Sequence, residues 1–319
     1  MDLYGQDAEL RLLSQLVTRL DQRTVIDVGA EQGTLAAGML AAGVEALHAF
    51  EPHPANVEVL RTRFASDARV TVHEYAVSDS DGAGELHVST HPDGVPLPFG
   101  HTLLTRPDTD EIMWADTLKV TRRSLHSLVQ GRQLPEHVGI LKVDTEGHDL
   151  AVVQGMGTLE ADVVMVEHWK DLPNSLGACP WTTDDMAKSL GARGFTHFAF
   201  VVHRGDFVTL KWDDGEVERG AMGNLVFIHD RVLVRLLPDL LNCAGWLAEQ
   251  AVAVGRHYMI TAGERLAVME ELEQASDDRL ALVHELEEVA EARQQKLETI
   301  TTQLKDKSAE LERLKLQNR

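Results

Sequence analysis

Val25-Ile26-Asp27-Val28-Gly29-Ala30-Glu31-Gln32-Gly33 is the stretch that decides the fold of this chain. Thr24 to Val28 is a short apolar run of strand-forming residues, and it ends at a glycine. Leu35 to Leu40 follows with helical character, closed by Gly43. A buried strand that stops at glycine and hands over to a helix opens a βαβ unit. Downstream, Leu47-His48-Ala49-Phe50-Glu51 is a second strand stopped by Pro52, Ala55 to Phe64 a second helix, and Val70 to Val77 a third strand. Upstream, Leu10, Leu13, Leu16, Val17 and Leu20 mark the apolar face of a helix over 7–20. Strand and helix alternate at intervals of about 25 residues, which predicts parallel units with right-handed crossovers.

The glycine turn also carries chemistry. Glycine lets the backbone turn tightly and lets a ligand approach it. Gly29 and Gly33 are four apart with Glu31 between them, so this is not GxGxxG. A dinucleotide seats its pyrophosphate on the helix N-terminus. Asp27 and Glu31 oppose a pyrophosphate and suit a ligand that is cationic at that end. The methionyl ammonium and the sulfonium of S-adenosyl-L-methionine are cationic in that way. Glu51 stands at the carboxyl end of the second strand, where a carboxylate accepts hydrogen bonds from both ribose hydroxyls. Glu51 therefore speaks for adenosine, and the glycine spacing speaks against a nicotinamide cofactor.

Residues 78–137 break the rhythm with a hairpin-like stretch, Gly84 to Thr90, and a loop rich in Pro and Gly, His91 to Gly100. His101, Thr102 and Arg106 lie in this insertion, which is placed to form a substrate lid. The rhythm resumes at Ile140-Leu141-Lys142-Val143-Asp144, and a helix is expected from Asp149 to Leu159. That strand delivers Asp144 and then Glu146 to the sheet edge where open α/β sheets bind ligands. Lys142 and Asp144 share a strand face by the period of two, so they are placed to pair. Val166-Glu167-His168-Trp169 ends the next strand and is expected beside Asp144. Asp144, Glu146 and His168 are thus the candidate catalytic residues, with Asp144 or His168 as base toward an acceptor hydroxyl. Asp144, Glu146 and Glu167 offer the oxygens that a hard divalent cation prefers; the primary expectation is a site without metal. Thr183 is a plausible N-cap for a helix to Leu190. Three closing strands follow, Phe198 to His203, Val208 to Trp212 and Leu225 to His229, with antiparallel pairing expected.

Together these motifs resemble the serial motifs of the FkbM-type methyltransferases. They are Val25-Ile26-Asp27-Val28-Gly29-Ala30, Ala49-Phe50-Glu51-Pro52, Ala76-Val77-Ser78-Asp79 with Gly82, and Leu141-Lys142-Val143-Asp144-Thr145-Glu146-Gly147. Order and approximate spacing match over roughly 20–230. The resemblance implies a class I methyltransferase fold: a Rossmann-like, mostly parallel sheet with an antiparallel closing strand. It also implies S-adenosyl-L-methionine as donor, and O-methylation of a sugar, glycan or small natural product. By position it implies cofactor contacts from Asp27, Gly29, Glu31, Gly33, Glu51 and Pro52, adenine contact near Asp79, and an acidic motif of Asp144 and Glu146 near the reaction centre. Glu31, His148 and Asp149 depart from the residues usual at those places.

The formal net charge is −21 over 319 residues. The segment from Glu264 onward carries −5 and the rest −16. An acidic body repels a polyanion, and Arg122-Arg123 is too small a basic patch to reverse that, so no nucleic-acid partner is expected. Cys179 and Cys243 form no CxxC pair and read as reduced thiols. No secretory signal or membrane span is read, so a cytoplasmic protein is expected.

From Met269 a heptad runs through Leu272, Ser276, Arg279, Val283, Leu286, Ala290, Arg293, Leu297, Ile300, Leu304, Lys307, Leu311 and Leu314. This predicts a helical coiled coil of about 70 Å that serves a homodimer or a partner helix. The expected division is a methyltransferase domain over 1–235, a helical connector over 236–263 and a coiled-coil extension over 264–319. The competing reading is a degenerate methyltransferase-like scaffold that acts through its coiled coil.

Overall fold

A computed structural model describes residues 3–172, 176–204, 207–216, 220–247 and 249. The heptad over 264–319 and most of the connector lie outside the described residues.

The core is an eight-stranded sheet in the order β10-β9-β11-β8-β7-β1-β2-β3. β1 (Thr24–Val28), β2 (Ala46–Phe50), β3 (Val70–His73), β7 (His137–Val143) and β8 (Glu160–Lys170) are parallel. The central strands are buried on both faces, which is why they read as near-continuous apolar runs. β11 (Ala221–Ile228) is inserted antiparallel between β8 and β9 (His197–Arg204), and β10 (Phe207–Trp212) pairs antiparallel outside β9. All three closing strands pair antiparallel with one another as expected, and two of them, β11 and β10, run against the rest of the sheet while β9 runs with it. The sheet is mixed, and the fold is a Rossmann-like α/β fold.

Helices cover both faces. α1 (Leu3–Val17), α2 (Thr34–Ala41), α3 (Pro54–Arg63) and α7, over residues 230–247, bury one apolar cluster that includes Leu12, Met39, Leu60 and Leu236. α4 (Leu125–Gln130), α5 (Asp149–Gln154) and α6 (Thr183–Gly191) bury the other, with Leu128, Val152 and Met186. Pro54 starts α3, where its missing amide hydrogen costs nothing. α6 is capped one residue earlier than expected, by Thr182 in a reciprocal capping box with Asp185. No helix among the described residues is long and apolar enough to cross a membrane.

The expected third strand is two strands. β3 stays in the main sheet, whereas β4 (Ala76–Ser78) joins a second, three-stranded sheet in the order β4-β6-β5. β5 (Gly82–Thr90) and the twelve-residue β6 (Met113–Ser124) form its antiparallel pair. β6 gave no sequence signal because most of its residues are exposed or half-buried, so it carries no apolar alternation.

The chain runs from β1 outward to β2 and β3, then returns to β7 on the other side of β1. That reversal is a topological switch point. In open α/β sheets, ligands bind in the crevice at the carboxyl ends of such strands.

Candidate active site

A cavity of about 570 Å³ opens at that edge. Gly29 forms its floor. Its φ is +75°, and a Cβ there would drive into the Asp144 carbonyl, so only glycine fits. The Gly29 and Ala30 amides donate to the Phe50 carbonyl at 2.9 and 3.0 Å, and the Asp144 amide donates to the Val28 carbonyl at 3.0 Å. Beneath the turn, Lys142 Nζ lies 3.1 Å from Asp27 and 3.4 Å from Asp144. It also donates to the Gly29 carbonyl at 3.0 Å. Burial works against the Lys142 ammonium, but Asp27 and Asp144 outweigh it and push its pKa up. The expected pairing of Lys142 with Asp144 is therefore present, and Asp27 shares it. Asp27 is 2 % exposed and is not a lining residue. It supports the turn from below.

Glu51 is buried in the cavity wall. One carboxylate oxygen accepts from the Glu31 amide at 2.9 Å and the other from the His53 amide at 2.8 Å. Glu31 reaches that position with φ at +49°. Each Glu51 oxygen keeps a lone pair for a ligand. Burial pushes its pKa up to about 8. Pro52, Phe50, Tyr75, Ala76 and Val77 continue this wall with apolar surface.

The other end of the cavity is acidic. Asp144, Glu146 and Glu167 each bring an oxygen within 4.8 Å of the others. Glu146 has φ at +56° and Gly147 at +92°, a strained loop that its surroundings must hold. The holding groups come from the insertion. The Gly100 amide donates to Glu146 Oε1 at 3.1 Å. Thr102 and Arg106 donate to the Glu146 carbonyl at 3.0 and 2.6 Å. Arg106 also donates to the Leu176 carbonyl at 2.6 Å, and its guanidinium lies 5.1 Å from the Trp169 ring centroid. Trp114 Nε1 fixes Gly100 by donating to its carbonyl at 2.8 Å. From the other side, buried Asp149 accepts from the Gly147 amide at 3.1 Å. Burial, reinforced by Asp144, pushes Glu146 up to about 8 and Asp149 up to about 7. It raises Glu167 well above the ordinary carboxyl range.

The family model of the methyltransferase FkbM domain matches residues 27–195 of this chain. The chain belongs to that family. It is a methyltransferase whose cofactor is S-adenosyl-L-methionine. No curated protein matches it. Solved structures similar to it include PH1948 of Pyrococcus horikoshii, at 14 % identity and a TM-score of 0.39 over 69 % of this chain and 81 % of that one. They also include precorrin-6y C5,15-methyltransferase of Geobacter metallireducens, at 12 % and 0.36 over 70 % and 88 %. SMU.1697c of Streptococcus mutans, solved in complex with SAH, matches at 8 % and 0.38 over 72 % and 99 %.

The residues present fit the cofactor of this FkbM-family chain. Seven carboxylates line the cavity (Glu9, Glu31, Glu51, Glu111, Asp144, Glu146 and Glu167), and no lysine or arginine among the described residues joins them in the lining. In its ionised form that lining attracts a sulfonium and repels a pyrophosphate, and a bound cation in turn favours the ionised form. Of the expected cofactor residues, Gly29, Glu31, Glu51 and Pro52 line the cavity. Gly33 does not; it sits with φ at +79° at the start of α2, against Leu60 and Phe64. Asp79 is exposed outside the cavity and accepts from Ser78 and Ser80 hydroxyls at 3.1 and 2.9 Å. The wall nearest to it is Tyr75 to Val77.

Of the expected catalytic residues, Asp144 and Glu146 are brought together, and His168 is not. His168 and Glu167 are neighbours on β8, so their side chains take opposite faces of the sheet. Glu167 lines the cavity, whereas His168 is 6 % exposed with its ring 4.7 Å from Trp181 and 6.0 Å from Phe200. Burial there pushes its pKa down to about 4.

Sequence reasoning missed a further polar group on the cavity wall. Glu9 Oε1 lies 2.9 Å from His203 Nε2 and accepts from the Asn224 side chain. Glu9 lies 194 and 215 positions from His203 and Asn224, and no local pattern announces the group. Asp149 did have a signal, a carboxylate in the first turn of a helix that follows a tight loop.

Proposed function

We propose that this chain methylates a hydroxyl of an uncharged sugar, glycan or small natural product. The observation that carries this is the cluster of Asp144, Glu146 and Glu167 in a cavity lined by seven carboxylates and, among the described residues, by no lysine or arginine. An alcohol is a poor nucleophile until its proton has somewhere to go, and a carboxylate at the acceptor end supplies that place. A phosphorylated or nucleic-acid acceptor would meet carboxyl groups and, among the described residues, no lysine or arginine in the lining.

Gly29, Glu31, Glu51 and Pro52 hold the donor, and Glu51 takes the ribose hydroxyls. When bound, S-adenosyl-L-methionine supplies a methyl group on a cationic sulfur. Asp144 lies at the junction of the two ends, one residue beyond β7 and across from Gly29. It accepts the proton of the acceptor hydroxyl. Lys142 keeps Asp144 oriented. Glu146, Thr102 and Arg106 keep the loop in place, so that the acceptor is positioned before reaction, which is worth much of the rate. The segment at 100–106 is read as a scaffold for the acidic loop as much as a cover over it.

The test is methyl transfer from labelled donor to a panel of acceptors. Label on a hydroxyl of a neutral polyol or glycan is expected. Label only on nucleic acid or on an amine would overturn the reading. Asp144→Asn should lower turnover about 10²-fold or more while S-adenosylhomocysteine affinity is kept. His168→Phe should hold turnover within a few-fold.

A further inference from the structure

The acidic end of the cavity is short of positive charge. Glu167 is 7 % exposed, and its Oε2 has no hydrogen-bond partner. Glu146 Oε2 is also buried without a partner, its other oxygen being held by the Gly100 amide. Among the described residues two cations are near, Lys142 against Asp144 and Arg106 against the Glu146 loop, and neither donates a hydrogen bond to the free oxygens of Glu146 or Glu167. Lys142 contacts Asp27, Asp144 and the Gly29 carbonyl. Arg106 donates to the carbonyls of Glu146 and Leu176. A buried carboxylate without a partner is expensive, and it is relieved either by protons or by a cation.

Asp144, Glu146 and Glu167 converge with one oxygen each, all within 4.8 Å of one another. Oxygens on opposite sides of a Mg2+ or Ca2+ ion lie about 4–5 Å apart, given metal–oxygen distances of about 2.0–2.6 Å. The convergence therefore fits one coordination sphere. The donors are all carboxylate oxygens, with no thiol or imidazole among them. That selects a hard divalent cation of the Mg2+, Mn2+ or Ca2+ class over zinc. We propose that Asp144, Glu146 and Glu167 form a divalent-cation site, and that the bound cation takes the methyl acceptor through two neighbouring oxygens.

The positions that the three carboxylates leave open face the cavity, because all three residues line it. A vicinal diol or an α-hydroxy carbonyl fills two of them and is held with one hydroxyl oriented. Coordination also lowers the pKa of that hydroxyl, which eases transfer of its proton to the Asp144 oxygen that does not hold the cation. The insertion gains a purpose from this. By clamping the Glu146 loop through Gly100, Thr102 and Arg106, it sets the position of one ligand. The inference rests on the hydroxyl-methylation reading only for the acceptor; the cation site stands or falls by itself.

The experiment uses the full chain stripped with a chelator and titrated with Mn2+, followed by electron paramagnetic resonance and calorimetry. One Mn2+ per chain is expected, displaced by Mg2+ or Ca2+. Glu167→Gln and Glu146→Gln should each weaken it by about 10-fold or more, while S-adenosylhomocysteine titration shows that both variants still fold and bind cofactor. No Mn2+ binding by the wild type, or binding unchanged in both variants, overturns the site. With the cation restored, an acceptor bearing a vicinal diol should react and its monodeoxy analogue should react at least 10-fold more slowly. Mn2+ binding with equal rates for the two acceptors would overturn the chelation half. Mn2+ binding without transfer to any hydroxyl would leave the site and remove the hydroxyl-methylation reading.

Discussion

The two ends of the cavity are built in different ways. At the end proposed to hold the cofactor, Gly29, Ala30, Glu31 and His53 are tied to Phe50 and Glu51 by backbone amides within about two dozen residues of one another. At the acidic end, Glu146 is held by Gly100, Thr102 and Arg106, which lie 40 to 46 residues earlier and belong to the insertion. The first is a local motif, specified by strand, glycine and carboxylate in one short stretch. The second is assembled by tertiary contact. A locally encoded site binds what every member of its architecture binds. A site assembled from an insertion is free to differ, and it is where acceptor choice is expected to lie.

The largest effect should come from the residue that the two ends share. Gly29→Ala places a Cβ against the Asp144 carbonyl at a φ of +75°, so it strains β1 and β7 together. Stability should fall by about 3 kcal/mol or more, with cofactor binding lost. A variant of wild-type stability that still binds S-adenosylhomocysteine would show that the two ends are not coupled through this turn.

Glu51→Gln should act on the cofactor end alone. Loss of charged hydrogen bonds predicts weaker S-adenosylhomocysteine binding by about 10- to 100-fold. The pH dependence has a definite sign. The folded pKa of Glu51, about 8, lies above the ordinary value of 4.5 because the group is buried. Between those values the native state holds a proton that the unfolded chain has released. Stability of the apo protein therefore falls as pH rises, by about 1.4 kcal/mol per unit across that window. Glu31 opposes and Lys142 assists ionisation of Glu51. In thermal melts, the Tm of Glu51→Gln relative to wild type should climb from about pH 5 to about pH 9. Ribose hydroxyls prefer the ionised carboxylate as acceptor, so wild-type cofactor affinity should rise through about pH 8 and stay flat in the variant. Parallel melting curves, with no change in that difference, would remove the burial argument.

The smallest effect should sharpen the comparison from the acidic side. Arg106→Met removes two hydrogen bonds to carbonyls and the contact with Trp169. Turnover should fall about 5- to 10-fold as the Glu146 loop loosens, with S-adenosylhomocysteine affinity unchanged. Equal losses in both quantities would mean that the insertion supports the whole cavity.

Much of this was legible in one dimension. β1, β2, β7 and β8 were readable because strands buried on both faces must be apolar throughout. Gly29 and Glu51 were readable because a tight turn and a strand-end carboxylate need particular residues at fixed spacing. Asp144 and Glu146 were placed at the edge for the same reason. The placement of His168 failed on the period of two: with Glu167 facing the cavity, its neighbour had to face Trp181. The position of Asp79 failed because the chain leaves the main sheet between β3 and β4, a change of sheet that the run from Val70 to Val77 does not display.

The sequence by itself determined the family, the cofactor and the parallel heart of the sheet, because each is written in short runs whose residues are neighbours in the chain. Tertiary structure decided which carboxylates meet, which face each side chain takes, and how the insertion grips the Glu146 loop. Those contacts join segments that lie tens to two hundred residues apart, and their energy exists only once the sheet has brought them together.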